Sequence, residues 1–143
     1  MLNPNDCKIA LGTWADLGEA AKGIREVVFI QEQQIDPHDE WDEQDSVCLH
    51  FVVYVHDQAV ATARLLANHC VGRVAVLKEF RGLGLGQRLM QMTIDTARQQ
   101  QRPYVQLSSQ VHAIGFYQAL GFEVDGEVYL DCGIPHQNMR LDF

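Results

Sequence analysis

The stretch Arg81-Gly82-Leu83-Gly84-Leu85-Gly86 decides how the chain around it folds. Before it, residues 71–77 are rich in Val, which favours a β-strand. After it, apolar side chains keep helical spacing up to about Gln101, and Pro103 then prevents the helix from continuing. Glycines between a strand and a helix let a ligand approach the unpaired N–H groups at the positive end of the helix. The stretch therefore predicts a cradle for an anion, with close packing of the strand on the helix as the alternative explanation.

This glycine turn differs from both common nucleotide-binding loops. A Walker A loop needs Gly-Lys-Ser/Thr at its end, whereas Gln87 and Arg88 follow Gly86 here. A Rossmann G-x-G-x-x-G motif would need a glycine in place of Gln87. The turn therefore fits neither nucleotide-binding fingerprint.

The rest of the chain alternates between strand-like and helix-like patterns. A capping box of Thr13 and Asp16 opens a helix over residues 15 to about 30, and the acidic run 36–45 predicts a loop. The two-residue spacer Asp57-Gln58 predicts a tight hairpin. Strands are predicted at residues 8–11, 48–56, 59–66, 71–77, 104–108, 123–130 and 136–141, and further helices at 85–101 and 111–120. This order, β-α-β-β-β-α-β-α-β-β, predicts an α/β (α+β) fold with a mixed sheet and helices packed on it.

Composition limits what the protein is expected to bind. The chain has 143 residues with 11 Lys+Arg and 19 Asp+Glu, a net charge of −8. A negative surface repels a phosphate backbone, so we expect no nucleic acid partner. The length suits one domain over residues 1–143. Apolar stretches fall short of the ~20 residues of a membrane span, and Met1 to Ala10 lacks a signal-peptide pattern, so we expect a cytoplasmic protein with no membrane partner.

The cysteines show neither a metal-site pattern nor a disulfide framework. Cys7, Cys48, Cys70 and Cys132 are scattered and include no Cys-x-x-Cys pair. We therefore expect four reduced, mostly buried thiols and no bound metal.

Motifs on both sides of the glycine turn resemble one superfamily. Arg81-x-x-Gly84-x-Gly86, together with Arg73-Val74-Ala75-Val76, Gln110-x-x-Ala113-x-x-x-Tyr117 and Leu120-Gly121-Phe122, resembles the GNAT superfamily of acyl-CoA-dependent N-acetyltransferases. The flanking segments Arg25-x-x-Val28-Phe29-x-x-Glu32-Gln33 and Gly133-Ile134-Pro135-His136-x-x-Met139 resemble its ElaA-like branch, and the second is also similar to glyphosate N-acetyltransferase. The resemblance implies a GNAT-type mixed, splayed central sheet with helices on both faces.

The resemblance also implies acetyl-CoA as the co-substrate, with no metal. It assigns the backbone of Val74 and Val76 to the pantetheine arm, between two strands that splay apart. Gln110 stands where many relatives have Asn, which contacts the same arm. The pyrophosphate is assigned to the turn residues Arg81, Gly82, Leu83, Gly84, Leu85, Gly86 and Gln87.

Acetyl transfer needs an acid for the departing thiolate, a donor for the carbonyl oxygen and a base for the amine. The resemblance implies that Tyr117 is the acid, with a core tyrosine as the alternative, and that the Val76 amide is the donor. Residues 72–76 contain no Glu, so we expect His136 to be the base, because Pro135-His136 matches the related branch and imidazole titrates near neutral pH. Glu32, His50 and a water relay are the rival candidates.

The acceptor is predicted to be a primary amine on a small metabolite, attacked directly in a ternary complex. Arg25 and Arg73, with Glu32, correspond to a substrate site, where guanidinium groups suit an acceptor's anionic group; ion pairs with the nearby acids are the alternative. The acidic run 36–45 would attract a cationic amine or be a solvated loop. Acetylation of a protein or peptide N-terminus, and a noncatalytic acyl-CoA-binding regulatory module, are the alternative functions. Dimers are common in the superfamily, so a homodimer is among the expected partners.

Overall fold

The computed structural model describes residues 6–143, so the first five residues of the Met1–Ala10 segment lie outside it. The strands are β1 (Cys7–Gly12), β2 (Leu49–Val55), β3 (Gln58–Leu65), β4 (Val71–Val76), β5 (Tyr104–Gln110), β6 (Glu123–Val124), β7 (Tyr129–Asp131) and β8 (Ile134–Asp142). The α-helices are α1 (Trp14–Arg25), α2 (Pro37–Glu40), α3 (Leu85–Gln99) and α4 (Ile114–Ala119). A π-helical segment, Glu26–Glu32, continues α1, and 3₁₀ turns occur at Glu43–Ser46, Lys78–Phe80 and Val111–Ala113.

The strands form two antiparallel sheets that separate between β4 and β5. The first sheet has the order β1-β2-β3-β4, and the second has the order β5-β8-β6 with β7 paired to β8. Within residues 6–143, an isolated parallel bridge between Cys70 and Gln106 joins the two sheets. The predicted splayed sheet is confirmed, and its two edges leave a gap above that bridge.

Helices cover both faces of the first sheet, as predicted. Strand residues alternate between faces, so Val52 and Phe51 pack on opposite sides. The α1 face buries Leu17, Ala21, Ile24, Val28, Phe29, Val52 and Ala75. The α3 face buries Phe51, Val53, Ala63, Leu85, Leu89, Met90, Ile94 and Ala97. The central strands are thereby fixed from both sides, which holds the β4 edge in place.

The first helix differs from its prediction in its second half. The capping box of Thr13 and Asp16 is present, and α1 begins at the next residue after Thr13. Beyond Arg25 the chain widens into a π-helix, whose last turn is closed by the Gln33 amide on the Val28 carbonyl at 3.1 Å. The helical region therefore ends at Glu32 rather than near residue 30.

Two turns lie elsewhere than the sequence indicated. The β2–β3 hairpin turns at His56 and Asp57, with φ of 48° and 68°, so the predicted spacer Asp57-Gln58 is wrong by one residue. The predicted strand over 123–130 is wrong because the chain breaks after Val124, and Gly126 adopts a φ of 91°. The short strands β6 and β7 flank that break, and both pair with β8.

The acidic run is only partly solvated, since Glu40 and Asp45 are buried while its other four acids are exposed, and it forms α2 and a 3₁₀ turn rather than a loop. Arg25 is 1% exposed, and its Nε and Nη1 atoms lie 2.7 Å from Glu40 Oε2 and Asp45 Oδ1. Arg64 Nη1 lies 2.7 Å from Asp42 and 2.9 Å from Asp45. Arg64 also lowers the pKa of the Asp42 carboxyl to about 2. Burying the carboxylates of Glu40 and Asp45 is compatible with folding because each has a cationic partner.

The cysteines and helices bear on two further expectations. Cys7 and Cys48 are buried, Cys70 is half-buried and Cys132 is exposed, so the prediction of mostly buried thiols holds for two of them. In the described part of the chain, no helix is both long and apolar enough to cross a membrane.

Replacing Arg25 with Met should destabilise the fold by about 3 kcal/mol or more, because the change strips a cation from two buried carboxylates. The loss of stability should stay at about 3 kcal/mol because both carboxylates retain a second cationic partner. Asp45 remains paired with Arg64, and Glu40 remains paired with Arg73 at 3.3 Å. Urea unfolding measures this change. Asp142→Asn, which breaks an exposed pair with Arg140, is the control and should cost less than about 1 kcal/mol. Equal losses in the two variants would contradict a structural role for Arg25.

Candidate active site

The gap between β4 and β5 opens into a cleft of about 1390 Å³. Both strand edges line it, together with the π-helical segment, the glycine turn, α4 and the β7–β8 hairpin. Of the predicted site residues, the cleft wall includes Glu32, Arg73, Val74, Val76, Arg81, Gly82, Gly84, Leu85, Gly86, Gln87, Gln110, Tyr117 and His136. The fold therefore gathers most of the predicted residues at one site.

The glycine turn has the features of an anion cradle. Gly82 and Gly84 have φ of 78° and 79°, a backbone region that L side chains rarely adopt. Gly84 caps α3 without any side-chain hydrogen bond, so the first amides of this helix remain available to a ligand. The positive end of the helix dipole adds to the attraction for an anion. Leu83 is 46% exposed and is not on the cleft wall, so its side chain takes no part in this surface.

A bulge bends β4 where it borders the cleft. Arg73 has a φ of 52°, and the register with β3 shifts between Thr62 and Arg64. Bulges redirect the residues that follow them. The next residues of β4 after the bulge are Val74, Ala75 and Val76. They line the cleft between the bulge and the glycine turn.

Tyr117 is a buried phenol on the cleft wall. Its ring packs edge-to-face on Phe116 and Phe122, with centroids 5.0 Å and 5.9 Å away. The residue is 8% exposed, and burial raises the pKa of its hydroxyl to about 12. The phenol is therefore protonated at neutral pH and can act as a donor but not as a base.

His136 lies on β8 opposite Gln110 of β5 and faces the same cleft. Its Nδ1 is 2.7 Å from the Ile134 carbonyl oxygen, which can only accept a hydrogen bond. In the neutral ring Nδ1 therefore carries the hydrogen, which leaves Nε2 with a free lone pair. The Tyr129 ring stacks on the imidazole, and its hydroxyl contacts Ser108 and lies 2.9 Å from Asn138. The imidazole is thus held in a tautomer that can accept a proton.

Glu32 is bound by Arg81 through both carboxylate oxygens, each at 2.7 Å. This pairing lowers the pKa of the Glu32 carboxyl, so Glu32 is a poor candidate for the base. The neighbouring Gln33 accepts a hydrogen bond of 2.8 Å from the Gln110 side chain. Gln33 follows Glu32 in the family-like motif, but residue spacing does not predict its contact with Gln110.

Arg25 and His50 do not reach the cleft. The Arg25 Nε, Nη1 and Nη2 atoms donate to Glu40 and Asp45, so the expectation that Arg25 binds a substrate anion is not supported. His50 is 1% exposed, and its Nε2 lies 2.8 Å from the Asp45 carbonyl oxygen. This contact fixes His50 inside the protein and removes it from the candidates for the base.

Arg73 does reach the cleft, and so do residues that the sequence did not single out. The Arg73 side chain is 27% exposed and contacts Glu40 and Asp42. Arg64 also lines the cleft, and its buried Nε has no hydrogen-bond partner among residues 6–143. Further wall residues at this end are Asp39, Ser108, Asp131 and Cys132. Their positions depend on long-range packing, which residue spacing does not reveal.

Comparisons with known proteins agree with this geometry. A family model described as an acetyltransferase (GNAT) domain matches residues 21–143. The Bacillus subtilis protein YyaT is 37% identical over 136 residues, which cover 91% of each chain. Escherichia coli ElaA is 35% identical over 129 residues, which cover 83% of each chain.

Solved structures show the same fold. The crystal structure of Escherichia coli ElaA matches with a TM-score of 0.84 at 30% identity, covering 95% of this chain and 99% of that one. An acyl-CoA N-acyltransferase from Pseudomonas aeruginosa also has a TM-score of 0.84, at 32% identity, covering 94% of this chain and 99% of that one. The chain therefore shares its fold with these proteins over nearly its whole length.

Replacing Gly84 with Ala should weaken binding of acetyl-CoA, because a methyl group would block the approach of a phosphate to the amides of the turn. Gly126→Ala is a matched control: Gly126 has a similar φ of 91° and equally open surroundings, but it lies outside the cleft. Calorimetric titration with acetyl-CoA measures the difference. If both variants bind with wild-type affinity, the turn does not hold the pyrophosphate.

Proposed function

The chain belongs to the GNAT acetyltransferase family, and on that premise we propose that it transfers the acetyl group of acetyl-CoA to a primary amine of a small metabolite. Members of this family use acetyl-CoA as the acyl donor. The observation that carries the proposal is the cleft between β4 and β5, which has the glycine turn at its edge and both Tyr117 and His136 on its wall. The site thus combines an anion cradle, an acid and a base.

In the proposed complex the turn amides bind the pyrophosphate and the β4 edge binds the pantetheine arm. The open β4–β5 edges support this placement, because backbone groups that no neighbouring strand pairs are free to bind the amides of the arm. The co-substrate supplies an activated thioester carbonyl.

The proposed chemistry uses three groups of the chain. The neutral amine nitrogen bonds to the thioester carbon, and His136 Nε2 takes the proton that this nitrogen must lose to become an amide nitrogen. The Val76 N–H donates to the carbonyl oxygen as negative charge develops there. The Tyr117 hydroxyl gives its proton to the sulfur as the carbon–sulfur bond breaks. The products are the acetylated amine and free coenzyme A, and solvent then takes the proton from His136 and returns one to Tyr117.

The segment beside the cleft suits a small acceptor better than a peptide. The segment Asp36 to Ser46 is ordered against the cleft, because Arg25 and Arg64 bind its acids from inside. A long open groove for a peptide N-terminus would need this segment to move. Arg73 and the Nε of Arg64, which is unpartnered within the described residues, support an acceptor with an anionic group. Asp39 and Asp131 are suited to its ammonium group. The homodimer and the cytoplasmic location stay predictions.

Thiol release with acetyl-CoA and an amine panel tests the proposal. The panel contains amino acids, polyamines, aminoglycosides and short peptides. We expect coenzyme A release that requires an amine, with intersecting initial-velocity lines because both substrates bind before the reaction. Tight binding of acetyl-CoA without amine-dependent release would instead indicate a noncatalytic acyl-CoA-binding module.

Tyr117→Phe should lower kcat by roughly 10²- to 10⁴-fold, because the ring remains but the proton donor is lost. The dissociation constant of acetyl-CoA should stay near the wild-type value. Tyr54→Phe is the matched control, since Tyr54 lies on β2 away from the cleft wall. Wild-type turnover of Tyr117→Phe, with chemistry rate-limiting, would reduce Tyr117 to a packing residue.

His136→Gln should lose most turnover and also the acid limb of the kcat/KM profile, because protonation of His136 would cause that limb. The same acceptor must be used for both proteins, since an amine can produce its own acid limb. His38→Gln replaces an exposed histidine on α2, away from the cleft wall, and should keep the wild-type profile. If His136→Gln keeps the wild-type turnover and the acid limb of its kcat/KM profile, the base is a water molecule rather than His136.

A further inference from the structure

Two consecutive residues at the end of the π-helical segment contact opposite edges of the cleft. Glu32 binds Arg81, which follows β4, and Gln33 binds Gln110, the last residue of β5. We call Glu32 and Gln33 the clamp. Neighbouring side chains on a helix point in different directions, so adjacent residues can reach two separate edges. The clamp therefore spans the gap that the missing β4–β5 ladder leaves.

On the β4 side, the clamp fixes the end of the strand through Arg81. The Arg81 Nε donates to the Val76 carbonyl oxygen at 2.9 Å, while both Nη atoms bind Glu32 at 2.7 Å. A bidentate guanidinium–carboxylate pair has a defined orientation. Glu32 thus orients the guanidinium that holds Val76 in place. The Arg81 guanidinium is consequently neutralised, which leaves the pyrophosphate to the turn amides.

On the β5 side, the clamp fixes the Gln110 side chain. Its Nε2 donates to Gln33 Oε1 at 2.8 Å, which leaves the Gln110 Oε1 atom free to accept. Gln110 also pairs with His136 across the β5–β8 ladder. The contact therefore presents an acceptor atom at the β5 edge and steadies the strand beside the proposed base.

Stability alone does not account for the ion pair of the clamp. The Arg81 and Glu32 side chains are 41% and 37% exposed, and pairs that exposed contribute little to folding free energy. By contrast, the pair lies on the wall of the cleft and connects three elements that form it. Its position indicates a role in binding.

We propose that Glu32 and Gln33 are positioning residues, which hold the β4 and β5 edges at the separation through which the pantetheine arm passes. The proposal rests on the proposed function, because it concerns the same acyl-CoA site. Loss of either contact lets one edge move, so the arm binds less tightly and the thioester is less well aligned. The nucleotide half of coenzyme A does not pass between the edges and depends on the glycine turn.

The test uses Glu32→Gln and Gln33→Ala with two ligands, acetyl-CoA and 3′-phosphoadenosine 5′-diphosphate, which is the nucleotide half without the arm. Each variant should bind acetyl-CoA about tenfold more weakly, the factor that 1.4 kcal/mol gives, and bind the nucleotide at least as tightly as wild type does. The thermal midpoint should stay near the wild-type value because the ion pair is exposed and the Gln33–Gln110 hydrogen bond is only partly buried. If Glu32→Gln unfolds, Gln33→Ala carries the test alone.

Matched controls break similar exposed contacts elsewhere. Asp142→Asn removes the pair with Arg140, and Gln91→Ala removes the hydrogen bond to Asp95 at 2.9 Å on α3. Both should leave the two affinities unchanged. Clamp variants that bind acetyl-CoA as wild type does, or that lose acetyl-CoA and the nucleotide equally, would overturn the proposal. Failure of the wild type to bind acetyl-CoA would instead overturn the proposed function.

Discussion

The separation of β4 from β5 is the constraint on which the rest of the structure depends. Two parallel edges that pair only at Cys70 and Gln106 leave backbone donors and acceptors without a neighbouring strand within residues 6–143. Such groups are costly to bury unless something binds them. A linear arm that carries amide groups can occupy the place of the missing ladder. The cleft is thus a gap in a sheet, and this shape suits an extended ligand.

Several features hold the two edges of the gap apart. Cores on both faces fix the β4 sheet, and the bulge at Arg73 bends its edge. The buried pairs of Arg25 and Arg64 with the acidic segment fix the far wall. These ionic contacts specify position more than they add stability, because burying charge costs about as much as pairing returns. The acidic composition therefore has a structural explanation in part, since three of the acids neutralise internal arginines.

The fold and the glycine turn beside the cleft could be predicted from the sequence, whereas the partners of Arg25 and Glu32 could not. Gly82 and Gly84 indicate a turn from local sequence alone, because few other residue types adopt their positive φ values. Tyr117 follows the turn at a spacing that the family resemblance specifies. Arg25 looked like a ligand for an anion, but its partners lie 15 and 20 residues further on and meet it only after packing. Glu32 pairs across 49 residues, a distance at which spacing carries no information.

A crystal structure with acetyl-CoA bound tests the central claim most directly, namely that the acyl donor takes the place of the missing strand pairing. The account predicts a pantetheine arm between β4 and β5, with the thioester sulfur within hydrogen-bond distance of the Tyr117 hydroxyl and the carbonyl oxygen facing the Val76 amide. An arm lying outside the gap, or a thioester turned away from Tyr117, would contradict it.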